Sequence, residues 1–245
     1  MQLLVSVASA ADASEAMAGG ADIIDTKDPS AGPLGPVTLD VFHDVRRLCA
    51  GRLVSAALGD PAGAAQAKGR AAAFAAAGAD LVKVGFGAVQ SADQIAALLT
   101  SALEGANGRR ADEMRAATRV IAVCYVDAPA AGVSPQQMLS IAKGCGASGV
   151  LLDTADKAGP GLRRIMSRAA LREWLAAAAD AELLSALAGR LTIDDVGALA
   201  ELPVEVVGVR GAACDDGRMG RVSAERVRAL RRAAAEAPAH TGGIH

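Results

Sequence analysis

Ala21-Asp22-Ile23-Ile24-Asp25-Thr26-Lys27 returns later in the chain as Ala79-Asp80-Leu81-Val82-Lys83-Val84-Gly85. Each copy follows glycine, Gly19-Gly20 or Gly78, that halts an alanine-rich helical pattern, then opens on Ala-Asp, runs through apolar residues and reaches a lysine. A strand alternates its faces, so Ile23, Asp25 and Lys27 point one way and Ile24 and Thr26 the other. A carboxylate and an amine then lie side by side at a strand tip. Taken alone, that is an ordinary ion pair.

Outward from this repeat, the same alternation covers the chain. Strand-length apolar runs occupy Leu3–Val7, Asp22–Lys27, Arg52–Ala57, Ala79–Gly85, Val120–Tyr125, Gly149–Asp153, Glu182–Leu187 and Val204–Arg210. Helical patterns follow at Ser9–Gly20, Thr38–Ala50, Pro61–Gly78, Gln90–Glu104, Ser134–Gly144, Arg163–Ala179, Thr192–Leu202 and Ser223–Ala235. Asn107–Arg110 reads as a polar turn, and Pro29–Pro36, broken by three prolines and two glycines, as a loop over a site. Eight strands alternating with helices predict one α/β domain, a (β/α)8 TIM barrel over residues 1–237, with 238–245 a disordered tail. An open doubly wound sheet is the alternative, but neither a GxGxxG fingerprint nor a Walker loop is present.

The 245 residues carry a net charge of −2, with 52% hydrophobic but only 2% aromatic residues. The core must therefore be built from Ala, Val, Leu and Ile, packed closely. Without a basic stripe or an aromatic platform, nucleic acid is not an expected partner; a small molecule is. Cys49, Cys124, Cys145 and Cys214 are widely spaced, and no signal peptide is evident, so a reduced, cytoplasmic protein is expected. No apolar run reaches the ~18 residues of a membrane span.

In a barrel, active groups gather at the C-terminal ends of the strands, and Asp25, Lys27, Lys83, Asp153 and Lys157 all fall there. Burying unpaired charge costs several kcal/mol, so five such groups at one mouth must compensate one another or a ligand. A lysine desolvated beside another cation has a lowered pKa and attacks carbonyls as a free amine, forming a Schiff base. Lys27 and Lys83 are placed to perturb each other in this way, and Asp25 and Asp153 to shuttle protons. The three histidines, His43 on a helix and His240 and His245 in the tail, supply neither a metal site nor a Ser-His-Asp triad. Small residues at Leu187–Arg190 and Gly208–Gly211 suit a phosphate held by backbone N–H groups, with Gly189 and Gly211 giving access and Arg210 adding charge. Ser6 and Ser55, at the ends of strands one and three, are further candidates, Ser6 with the phosphate group.

These residues, in order, resemble a known family. Leu3-Leu4-Val5-Ser6, Gly19 through Pro29 with Gly32-Pro33-Leu34-Gly35, Lys83-Val84-Gly85, Leu152 through Lys157, Leu184 through Gly189 and Gly208 through Cys214 look like (5-formylfuran-3-yl)methyl phosphate synthase, also called 4-(hydroxymethyl)-2-furancarboxaldehyde-phosphate synthase. The resemblance implies a barrel enzyme of methanofuran biosynthesis, in one-carbon metabolism, that condenses two molecules of glyceraldehyde 3-phosphate with no metal or organic cofactor. It also implies that Lys27 is the Schiff-base lysine, Lys83 the proton-accepting lysine, and Asp25, Asp153 and Lys157 the supporting acids and third lysine. Family resemblance and exposed alanine-rich helices together make a homo-oligomer the expectation. Two other readings use the same residues: a different Schiff-base aldolase or lyase on sugar phosphates, and a barrel that binds a phosphorylated metabolite without catalysis.

Overall fold

The computed structural model describes residues 1–87, 89–108 and 117–235. Its strands are β1 (Gln2–Val7), β2 (Ile23–Thr26), β3 (Leu53–Ala57), β4 (Leu81–Val84), β5 (Arg119–Tyr125), β6 (Gly149–Asp153), β7 (Leu184–Leu187) and β8 (Val206–Val209). Each pairs in parallel with the next, and β1 closes on β8. The expected (β/α)8 barrel is the fold. Between the strands run α1 (Ala10–Ala18), α2 (Leu39–Leu48), α3 (Ala64–Ala76), α4 (Ala92–Ala106), α5 (Pro135–Cys145), α6 (Leu162–Ile165), α7 (Arg168–Asp180) and α8 (Ile193–Leu199), with α9 (Ala224–Ala235) after β8. No helix among the described residues is long and apolar enough to cross a membrane.

Strand parity builds two apolar layers. Outward residues such as Val5, Ile24, Val54, Val82, Cys124 and Leu152 pack against the helices in one buried cluster. Inward residues including Leu4, Ile23, Leu81, Ile121, Leu151 and Val206 fill the barrel floor in a second. Small-residue packing is closest between α3 and α4, where a side chain on Gly105 would fall on the Lys68 carbonyl. The Ala-Asp repeat belongs to the floor as well. Asp22 accepts from the backbone N–H of Leu3 at 2.8 Å and Asp80 from that of Val54 at 2.8 Å, so each aspartate ties its strand to the start of the preceding one. The lysines of the repeat sit at the opposite end.

Three expected boundaries shift for local reasons. The helix expected over Arg163–Ala179 is two, because the Ser167 side chain accepts from Ala170 N–H and caps a new start. Glu182 takes a positive φ of 56° and ends the turn before β7, which therefore begins at Leu184. The helix expected from Pro61 starts at Ala64, with Gly63 in extended backbone as its cap. Of the expected Asn107–Arg110 turn, Asn107 caps α4; Arg109 and Arg110, residues 236–237 of the domain and the 238–245 tail lie outside the described residues.

Candidate active site

Above the apolar floor the inward positions become polar. Register places Ser6 of β1 beside Asp25 of β2 and Asp25 beside Ser55 of β3. Asp25 is fully buried, and its carboxylate accepts from Ser55 Oγ at 2.5 Å and Ser6 Oγ at 2.8 Å, while Lys83 Nζ lies 2.5 Å away. Burial by itself would raise the Asp25 pKa; the charges of Lys83 and Lys27 and the hydrogen bonds of Lys83 and Ser55 outweigh it and hold the group below the usual carboxylate range. Across the mouth, Asp153 Oδ1 accepts from Lys157 Nζ at 2.8 Å and from Thr154 N–H at 2.7 Å, and Lys157 also donates to the Thr154 carbonyl.

Each carboxylate thus has its own lysine, and Lys27 is left over. It follows β2 directly, its backbone N–H bonded to the Val7 carbonyl at 2.9 Å, and is 8% exposed. Its ammonium forms no hydrogen bond or ion pair within 4 Å of another described residue. Burial first, opposed by Asp153 and reinforced by Lys83, lowers its pKa from 10.5 to about 8. With Lys27 neutral, the two pairs balance and the cluster carries no net charge.

The groups converge on a cavity of about 570 Å³, within the ~300–1,000 Å³ of small-molecule sites. Lys27, Lys83, Lys157, Arg190, Arg210, Arg218 and Arg226 line it against a single carboxylate, Asp153. In a chain of net charge −2 this sign contrast selects an anionic ligand. β7 and β8 pair through Ala186–Val206 and Leu187–Val207, and the residues that follow both strands line the cavity. In the loops after β7 and β8 the N–H groups of Gly189, Arg190, Gly211 and Ala212 have no acceptor within the described residues. Gly189 has a φ of 101° and Arg190 one of 55°.

Two expected phosphate ligands, Ser6 and Arg210, line the cavity and also have partners within the protein. Ser6 Oγ donates to Asp25, because β1 parity aims it into the barrel and not at the loops. Arg210 donates to the carbonyls of Ser6, Arg218 and Gly220 and to Asp12 Oδ2, because it closes β1 onto the loop after β8. Ser55, weighed only as a candidate, is an Asp25 partner. Asp12 and Arg218 are not singled out by sequence; neither lies at a strand end, and no motif marks them.

Residues 3–231 match the model of the 4-HFC-P synthase family. The chain belongs to that family. Members of the 4-HFC-P synthase family to which it is similar include the (5-formylfuran-3-yl)methyl phosphate synthases of Methanothermobacter thermautotrophicus and of Methanocaldococcus jannaschii, each 36% identical over 236 residues and covering 94% of this chain and 98% of the relative. Among solved structures, it resembles KGPDC from Streptococcus mutans (TM-score 0.63, 14% identity, 95% of this chain and 96% of that one). It also resembles 3-hexulose-6-phosphate synthase from Salmonella typhimurium (TM-score 0.63, 16% identity, 96% and 99%). At such identities the likeness carries the barrel alone.

Proposed function

We propose that the chain is a (5-formylfuran-3-yl)methyl phosphate synthase of methanofuran-type cofactor biosynthesis, condensing two molecules of glyceraldehyde 3-phosphate through a Schiff base on Lys27. The observation that carries this reading is the odd lysine: Asp25 pairs with Lys83 and Asp153 with Lys157, so Lys27 is the amine most easily deprotonated. Family membership and the names of the relatives support the product.

One triose phosphate isomerises to its ketone, and the Lys27 amine adds to that carbonyl and expels water to give the imine. Loss of a proton from the adjacent carbon yields an enamine, which forms a carbon–carbon bond to the aldehyde of the second triose. Asp153, whose Oδ2 is not engaged by the described residues, faces this chemistry as acid and base, while Asp25 and its partner Lys83 move protons. One phosphate leaves, and ring closure with loss of two waters completes the furan: two trioses equal product, one phosphoric acid and two waters. The free N–H groups of Gly189, Arg190, Gly211 and Ala212 cradle one substrate phosphate.

Borohydride added with triose phosphate should place the reduced adduct on Lys27, identified by peptide mass spectrometry, and feeding glyceraldehyde 3-phosphate should give a furan absorbance. A mark on Lys83 or Lys157 with Lys27 unmodified overturns the assignment, and absence of a new chromophore overturns the product. Because the free amine forms above its pKa, kcat/KM should rise with pH through about 8.

A further inference from the structure

Four arginines line the cavity, and their partners separate them. Arg210 is buried and engaged with three carbonyls and Asp12. Arg226 pairs with Asp215 at 3.0 Å, and Arg190 is exposed and donates to the Ala158 carbonyl at 2.8 Å. Arg218 is different. Half-buried in the loop between β8 and α9, it donates only to the carbonyl of Gly32, at 2.7 Å, and has no carboxylate within 4 Å among the described residues. Burial and then the charge of Arg210 lower its pKa, opposed by Asp153 and Asp28. It is a partly desolvated cation with most of its five N–H donors unused and no counter-ion.

Its position is held by the build of the loop. Arg210 Nε donates to the Arg218 carbonyl at 2.9 Å and Arg210 Nη2 to that of Gly220 at 3.3 Å, fixing the Gly217–Met219 turn that presents Arg218. From there the guanidinium bonds the carbonyl of Gly32, which has a φ of 100°. Gly32 belongs to the 28–36 loop, which follows Lys27 and lowers Leu34, 1% exposed, into the barrel. The guanidinium therefore lies beside the loop after β2, while the free N–H groups of Gly189 and Arg190 belong to the loop after β7.

We propose that Arg218 grips the phosphate of the second triose phosphate, so that the two substrates enter with their phosphates anchored on separate sides of Lys27, one by backbone and one by guanidinium. This rests on the two-substrate reading above. Arg matches the fork of phosphate oxygens and its unused donors supply charge-assisted bonds that a neutral side chain cannot.

Glycerol 3-phosphate, which forms no imine, is the first probe. By titration calorimetry the wild-type chain should bind two equivalents and Arg218→Gln one, with the remaining affinity unchanged; two equivalents in Arg218→Gln, or one in the wild type, overturns the assignment. In the second arm, enzyme loaded with dihydroxyacetone phosphate receives either glyceraldehyde 3-phosphate or glyceraldehyde, and borohydride quenching follows the three-carbon adduct into a six-carbon one. Arg218→Gln should slow the phosphorylated aldehyde about ten- to a hundredfold and leave glyceraldehyde within about twofold, with partial recovery in Arg218→Lys. Equal loss for both aldehydes means a structural role and overturns the proposal. If the binding arm succeeds while the wild type forms no adduct on Lys27, the phosphate assignment stands and the Schiff-base reading fails.

Discussion

At the residue level, Lys27 is a destabilising group in the folded chain. Its pKa falls from 10.5 to about 8, so the folded state binds this proton less tightly than the unfolded state does. Below about pH 8 the ammonium is present in both states and the full penalty applies, up to about 3 kcal/mol for a shift of this size. Between about 8 and 10.5 only the unfolded state stays protonated, so stability gained from this group rises with pH through that window. Lys27→Met should accordingly abolish the borohydride adduct and raise Tm at pH 7 by several degrees, at about 2–4 °C per kcal/mol for a chain this long. The gain over wild type should shrink as scans are repeated toward pH 10.5; a Tm lowered at pH 7 would mean that Lys27 is a structural partner. Sequence brings five charged residues to strand ends, but does not say which lysine lacks a carboxylate. That depends on distances across the barrel, such as Lys83 to Asp25, which strand parity does not specify.

Elements explain why the loops after β7 and β8 are proposed as the phosphate cradle. Two register pairs join these strands, and the loop after β7 then turns through Gly189 and Arg190 at positive φ. A Cβ on Gly189 would lie 3.0 Å from Thr154 Cγ2 and 3.2 Å from Thr154 N, beside the Lys157–Asp153 pair. Gly189→Ala should cost about 1–3 kcal/mol in denaturant unfolding, from the backbone conformation alone. It should also raise KM for the phosphorylated substrate by displacing the cradle N–H groups; an unchanged KM would place the phosphate elsewhere. The strands themselves are legible in sequence because apolar runs of strand length alternate with helical patterns and glycine stops. The break between α6 and α7 is not, because Met166 and Ser167 sit inside a continuous amphipathic pattern and only the Ser167 cap divides it. Strand reading puts Ser6 at its strand end but does not show its partner, since which inward group meets its hydroxyl depends on the register that sets Asp25 beside it.

Over the whole molecule, the barrel is closed by contacts between its first and last elements, and these are the features sequence could not show. Arg210 meets Asp12 across 198 positions, and Arg218 meets Gly32 across 186; nothing local to any of the four residues announces its partner. Asp12 lies in the first turn of α1, where an acid is expected for the helix dipole, yet its carboxylate accepts from Ala8 N–H at 3.0 Å, Val222 N–H at 3.2 Å and Arg210 at 3.2 Å. It thereby joins β1, α1 and the segment after β8, and Arg210 carries the same tie to the turn that presents Arg218. Removing one partner of a buried pair leaves the other uncompensated, at about 3–5 kcal/mol. Asp12→Ala should therefore lower Tm by roughly 6–20 °C. Because Asp12 makes no bond to the Lys27 side chain, adduct formation well below that Tm should persist, while the rate of six-carbon adduct from glyceraldehyde 3-phosphate should fall as Arg218 loses its support. A variant as stable as wild type would show that Asp12 and Arg210 do not hold the barrel's ends together, and that Arg210 is free to meet substrate.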